Sequence, residues 1–157
     1  MFTVKPIGIV LNNRKEVDDD YWGSVTSVIE LDEELDGNSL DGIEAFSHLE
    51  IIYLFHLVSD DKIQYGARYP RNNKDWPKVG IFAQRGKNRP NRLGATIVKQ
   101  IKREGRRLIV SGLDAIDGTP IIDIKPVMKE FLPKEEVVQP EWSKELMVDY
   151  WKMDKIL

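Results

Sequence analysis

FSHLEIIYLFHLV, Phe46 to Val58, is the stretch that decides the fold of this 157-residue chain. Alternation with a period of two puts Leu49, Ile51, Tyr53, Phe55 and Leu57 on one face and His48, Glu50, Ile52, Leu54 and His56 on the other. The second face is mixed, so the segment reads as a central strand with one side toward something polar. Both histidines of the protein lie on it. At ~3.3 Å per residue they stand about 26 Å apart, too far to share one metal ion. A hydrogen-bonded structural role is the default for each histidine; His56, at the strand end, is the better functional candidate.

Downstream, Val79 to Gly94 reads VGIFAQRGKNRPNRLG. Val79–Ala83 is expected as a short strand feeding a loop that holds Arg85, Lys87, Arg89 and Arg92 among Gly86, Asn88, Pro90 and Asn91. Four cations in eight residues repel one another in a packed core, so the loop faces water or an anion. Pro90 fixes one φ, while Gly86 and Gly94 permit conformations closed to other residues. Upstream, Thr3–Leu11 and Ser24–Leu31 read as strands, with the acidic Asp18-Asp19-Asp20 run between them as a solvated loop. Ser59–Lys78 is a polar excursion in which cations alternate with Tyr65, Tyr69 and Trp76. That pattern suits phosphate neutralisation and base stacking, or aromatics that pin a loop to the core. Ala95–Ile101 and Arg107–Leu113 read as a strand pair joined at Glu104-Gly105. In Leu113–Pro126, Asp117-Gly118 marks a turn and Ile121–Ile124 a strand. Asp114, Asp117 and Asp123 lie around that turn, within reach of an amine or a ribose, or simply capping backbone N–H groups. Glu141–Met153 has apolar residues at helical spacing after Pro140. Its stripe closes one end of the domain or meets a second subunit.

Many short strands and one helix predict a mainly β fold: a single β-barrel-like domain over residues 1–157 with a C-terminal α-helix. No nucleotide-binding GxGxxG, Walker loop, HExxH or GxSxG is present. The absence of cysteine removes disulfides, thiolate nucleophiles and cysteine metal sites. No metal is expected. No apolar run approaches the ~20 residues that span a bilayer, and MFTVKPIGIV does not read as a signal peptide. The expectation is a cytoplasmic protein with no membrane partner. A net charge of −3 conceals strong segregation: residues 62–107 hold 14 Lys/Arg and two acids, whereas residues 1–61 hold 14 Asp/Glu and three Lys/Arg. The basic block predicts a polyanion partner unless the acidic first third folds against it.

Three segments carry a resemblance: FSHLEIIYLFH (46–56), GIFAQRGKNRPNRLG (80–94) and SGLDAIDGTPIIDIKP (111–126). In the same order they are similar to patterns of the TrmO/YaeB-like, or TsaA-like, family. That resemblance implies a non-Rossmann β-barrel methyltransferase using S-adenosylmethionine, with N6 of threonylcarbamoyladenosine beside the tRNA anticodon as acceptor. It also implies a homodimer, with tRNA meeting the basic segment 62–107. Carried over residue by residue, it puts His56, Leu57, Arg85, Arg89, Asn91, Ala95, Ile116, Asp117, Gly118 and Thr119 around the cofactor. His56 or Asp117 would accept the proton that leaves N6. The chain departs from the pattern at Gln84, Gly86, Lys87, Arg92 and Leu93. It also lacks the PRQ-like cofactor segment, with Asp20, Tyr21 and Trp22 near its place, and is expected to be a short form without the family's extra C-terminal domain. Two other readings stay open: a cofactor- or nucleic-acid-binding module without methyl transfer, and a methyltransferase with a different acceptor.

Overall fold

The alternation of the opening stretch does produce a strand, though a shorter one than Phe46–Val58. In the computed structural model, which describes residues 1–153, it is β3, His48–Leu54. Leu49, Ile51 and Tyr53 point inward at 0–3% exposure. The chain leaves the sheet after Leu54, so Leu57 sits outside the alternation at 62% exposure.

β3 lies between β6, Leu93–Glu104, and β8, Pro120–Pro126. With β1 (Gly8–Leu11), β2 (Thr26–Leu31) and β7 (Arg107–Ser111) these strands close an antiparallel barrel in the order β1-β2-β7-β6-β3-β8. Closure comes from β1 pairing with both β2 and β8, which removes exposed sheet edges. Each strand contributes alternate side chains to one core, Val10, Ile29, Leu49, Ile51, Val98, Leu108, Val110 and Ile121, and Leu113 of the β7–β8 connection joins them. The β6–β7 hairpin turns at Gly105 (φ +60°), between the paired Glu104 and Arg107. A separate ribbon outside the barrel pairs β4, Ala67–Arg68, with β5, Val79–Gly80.

Three further expected elements differ. Thr3–Leu11 is a strand only from Gly8, because its pairing partner β2 ends at Leu31. Val79–Ala83 pairs for two residues, then turns through a 3₁₀ bend at Ile81–Ala83. The Gln84 amide holds that bend by donating to the carbonyls of Arg68 and Val79, both at 3.0 Å. The helix α1 covers only Glu141–Leu146. Beyond it, the carbonyls of Asp149, Tyr150 and Lys152 accept from the N–H groups of Tyr21, Trp22 and Gly23 at 3.1, 2.8 and 3.1 Å. These long-range bonds hold the backbone in a path a helix cannot follow. A Cβ on Gly23 would come within 2.1 Å of the Trp151 carbonyl oxygen, so glycine is what lets the two segments touch. The C-terminal segment thus closes one end of this barrel, one of the two roles expected for it.

Candidate functional site

The site is assembled where β3 ends, β6 begins and the β7–β8 connection crosses the barrel mouth. Gly112 (φ +80°) turns the chain out of β7, and Leu113 and Ala115 anchor it in the core. Asp114 between them therefore faces the mouth. Its Oδ1 accepts from the Tyr53 hydroxyl at 3.1 Å and from Thr96 Oγ1, while Oδ2 accepts from the Tyr150 hydroxyl. Three hydroxyls from β3, β6 and the C-terminal segment thus converge on one carboxylate. Gly94 makes room for this: a Cβ there would lie 2.5 Å from Tyr53 Cζ.

Burial first, and then the Asp114 charge, pushes both phenols well above the usual tyrosine range, with Arg85 opposing the shift at each. Both tyrosines therefore remain protonated donors at neutral pH. The sign of the resulting pH dependence follows. The raised phenols stabilise the fold fully below about pH 10, the ordinary tyrosine value, and that stability is lost as pH rises further, because only the unfolded chain releases its protons. Stability is expected to fall by about 1.4 kcal/mol per pH unit for each phenol, reaching the full slope a little above pH 10. Replacing either tyrosine by phenylalanine should make the decline shallower, read by urea unfolding between pH 8 and 11.

The other half of the site is the turn Ile116–Thr119. The N–H of Asp117 donates to the Arg14 carbonyl at 2.7 Å, that of Gly118 to the Val10 carbonyl at 2.7 Å and that of Thr119 to the Ile116 carbonyl at 3.2 Å. Thr119 Oγ1 also donates to Ile116 O at 2.7 Å. With these donors spent, the backbone of residues 117–119 keeps no free N–H for a ligand, and the Thr119 carbonyl accepts from the Val10 N–H at 2.9 Å. Asp117 Oδ1 accepts from the Asn12 N–H at 2.9 Å, so this carboxylate caps backbone. Gly118 adopts φ +85°, and a Cβ built on it would stand 4.0 Å from His56 Nε2. The His56 ring lies over this turn, half-buried, and makes no hydrogen bond or ion pair among the described residues.

The remaining predicted residues fall into two groups. Leu57 borders His56, and Arg85 lies at the mouth and donates through Nη2 to the Ala95 carbonyl. Ala95 itself is exposed on the outer face of β6. Arg89 and Asn91 serve the loop: Arg89 Nη1 donates to the Gln84 carbonyl at 2.6 Å, and Asn91 supplies a left-handed bend (φ +64°). The segment near the place of the missing PRQ-like run is brought to the turn through Arg14. Its side chain donates to the carbonyls of Tyr21, at 2.8 Å, and Asp20, and its guanidinium stacks 4.0 Å over Trp22.

Tyr53, Thr96 and Tyr150 did not emerge from the sequence as site residues. Tyr53 and Thr96 carry the signal that was available, hydroxyls at inward positions of two paired strands. Tyr150 was hidden within an apparent helical stripe.

The basic block divides. Arg71 pairs with Asp20 at 2.9 Å, Arg92 with Asp60 at 3.4 Å, Arg103 with Asp41 and Glu44 at 3.1 and 2.9 Å, and Arg107 with Glu30 at 2.7 Å. The intrachain expectation therefore holds for part of it. The acidic first third neutralises part of the block, while Lys62, Lys74, Lys78, Arg85, Lys87 and Arg89 make no ion pair among the described residues. None of the described helices is long and apolar enough to cross a membrane.

Comparison with known proteins bears on this geometry. The tRNA-methyltransferase O N-terminal domain family matches residues 17–131. A tRNA (adenine(37)-N6)-methyltransferase of Homo sapiens is 39% identical over 103 residues, covering 66% of this chain and 23% of that protein. A protein of Pyrococcus abyssi named "Probable S-adenosyl-L-methionine-binding protein" is 35% identical over 146 residues, covering 87% of this chain and 74% of its own length. The crystal structure of TrmO from Pseudomonas aeruginosa superposes with a TM-score of 0.72 at 26% identity, covering 90% of this chain and 62% of that one. The chain spans less than half the length of several curated relatives that it matches.

Proposed function

The chain belongs to the tRNA-methyltransferase O N-terminal domain family, and from that premise we propose that it is an S-adenosylmethionine-dependent methyltransferase acting on tRNA. The proposed acceptor is N6 of a threonylcarbamoyl-modified adenosine beside the anticodon. One observation carries the reading: His56, a half-buried imidazole without a partner among the described residues, stands over the glycine turn at Gly118.

The donor set suits the cofactor. S-adenosylmethionine presents an amine, ribose hydroxyls and an adenine amino group, all of which need acceptors. The turn Ile116–Thr119 has spent the N–H groups of its last three residues and the carbonyls of Ile116 and Thr119 internally, which leaves the Asp117 and Gly118 carbonyls as its backbone acceptors. Arg85, bonded to the Ala95 carbonyl, would meet the cofactor's carboxylate end, with Leu57 lining the same pocket. Arg89 and Asn91 would hold the loop that frames it. When bound, the cofactor supplies an electrophilic methyl group. Methyl transfer is an in-line displacement, so positioning supplies much of the acceleration. His56 Nε2 would accept the proton lost from N6, with Asp117 as the alternative acceptor.

We also propose that the protein works as a cytoplasmic homodimer. Leu93, Ile97 and Ile101 are exposed along the outer face of β6, beside half-buried Ile52 and Leu54 of β3. Sedimentation equilibrium would test it, a monomer at micromolar concentration counting against it.

The function test is transfer of label from radiolabelled S-adenosylmethionine to total tRNA, with and without the threonylcarbamoyl group. Label confined to modified tRNA supports the proposal. Cofactor binding without transfer to any RNA would favour the binding-module reading, to which the name of the Pyrococcus abyssi relative points. Arg85→Ala is expected to weaken cofactor affinity by about 10-fold, the cost of a charged hydrogen bond, by isothermal titration calorimetry. Unchanged affinity would remove Arg85 from the cofactor site.

A further inference from the structure

A cavity of about 480 Å³ lies just beyond His56, opening beside Leu57 and Val58. Its other walls are Lys62, Gln64, Arg68, Asn72, Lys87 and Asn88: three cations, three side-chain amides and no carboxylate. Three separately pinned segments build it. The Gln64 N–H donates to the Asn88 carbonyl at 3.1 Å, joining the loop after β3 to the cationic loop. Arg92 Nη1 donates to the Val58 carbonyl at 2.6 Å, fixing the rim. The Gln84 amide fixes the β4 side through the Arg68 carbonyl.

The nearby acids are already engaged elsewhere. Asp60 pairs with Arg92, and Asp61 accepts from Ser59 Oγ at 2.5 Å. Lys62 and Lys87 make no ion pair among the described residues, and Arg68 Nη2 donates only to the neutral Asn72 amide oxygen at 3.1 Å. Asp61, next to Lys62, feels its charge; three cations in one concavity still repel one another, and that cost is relieved when an anion is bound. Tyr65, next in the chain to the lining residue Gln64, is 76% exposed. Exposed aromatic faces among cations are what single-stranded nucleic acid requires, with phosphates neutralised and bases stacked.

We propose that this cavity is a phosphodiester-binding site for an unpaired stretch of RNA, with Lys62, Arg68 and Lys87 on the phosphates and Tyr65 stacking a base. The inference rests on the methyltransferase reading for what it serves: a nucleotide held next to Leu57 places its neighbour at His56. The amides of Gln64, Asn72 and Asn88 supply further donors to phosphate oxygens. No carboxylate lines the walls to compete with the anion.

The test uses the full chain, a fluorescent ten-nucleotide single-stranded RNA and an anticodon-type stem-loop, titrated by anisotropy from 50 to 300 mM salt. The combined variant Lys62→Ala/Arg68→Ala/Lys87→Ala is expected to flatten the slope of log affinity against log salt by about 0.7 per lost contact. Tyr65→Ala should weaken binding by about 5- to 100-fold with its salt slope intact. Lys62→Arg/Lys87→Arg should keep wild-type affinity. S-adenosylmethionine binding, measured alongside, should be unchanged in each variant, which also reports folding. An unaltered salt slope in the triple variant overturns the site, as does a tenfold loss of cofactor affinity, which would assign the cavity to the cofactor. The two readings fail separately. A wild-type protein that methylates tRNA, with a triple variant of unchanged slope, sinks the cavity alone. RNA binding that depends on the three cations, without methylation of any RNA, sinks the methyltransferase reading alone.

Discussion

His56→Ala is expected to lower kcat for methyl transfer by about 100- to 10,000-fold, the range for loss of a positioned proton acceptor. Cofactor affinity should fall far less. The reason is the ring's position: it stands over Gly118 with no internal partner among the described residues, so removing it breaks no bond within the protein. The fold should therefore survive, and the loss should appear in turnover. Asp117→Asn provides the comparison. Its Oδ1 already accepts from the Asn12 N–H, an interaction the asparagine oxygen can still make, so the effect on kcat should be much smaller. Single-turnover kinetics at saturating cofactor would decide. A His56→Ala enzyme within threefold of wild type would rule out the proton-acceptor role, and a larger loss in Asp117→Asn would transfer that role to Asp117.

The second large effect is expected on stability. Asp114→Ala removes the acceptor shared by Tyr53, Thr96 and Tyr150. A buried donor left without a partner costs about 1–3 kcal/mol. Tyr53 keeps the Asp114 backbone carbonyl at 3.3 Å, so the Thr96 and Tyr150 hydroxyls are the two left without a partner, at a cost of about 2–5 kcal/mol after allowing for water reaching the mouth of the barrel. A domain has only about 5–15 kcal/mol to lose, so this one substitution should remove a large share of the stability. Asp114→Asn keeps an acceptor oxygen and should lose roughly half as much. Urea midpoints measure both, and a loss under about 1 kcal/mol for Asp114→Ala would show that the hydroxyls find other acceptors.

The barrel was legible in the sequence because period-two alternation is a local signal. Leu49, Ile51 and Tyr53, or Leu108 and Val110, mark a buried face whatever they pack against. Pairing of β6 with β7 was legible for the same reason, since Gly105 marks the hairpin. The site was legible only in part. His56, Arg85 and Asp117 stand in motif segments, and the structure brings their neighbourhoods to the same mouth. The Asp114 cluster was not legible, because its members come from positions 53, 96, 114 and 150, and no local pattern links them. The length of α1 was misjudged for a related reason: helical spacing from Glu141 to Met153 is real, but hydrogen bonds to Tyr21, Trp22 and Gly23 outcompete the helix after Leu146. The charge segregation was visible as composition, yet only the folded chain shows which cations Asp20, Glu30, Asp41, Glu44 and Asp60 neutralise.

The contact between the C-terminal segment and Gly23 has a consequence for the order of events during synthesis. All six barrel strands have been made once Pro126 has left the ribosome. Tyr150, the third donor to Asp114, and the carbonyls that meet Tyr21–Gly23 emerge later. A nascent barrel can therefore close with its mouth still unsealed, its Asp114 carboxylate served by Tyr53 and Thr96 alone. Sealing the mouth then joins residues at opposite ends of the chain, a pairing with a large loop-closure cost unless the barrel has already formed. The site is thus completed last, on a scaffold that is already standing.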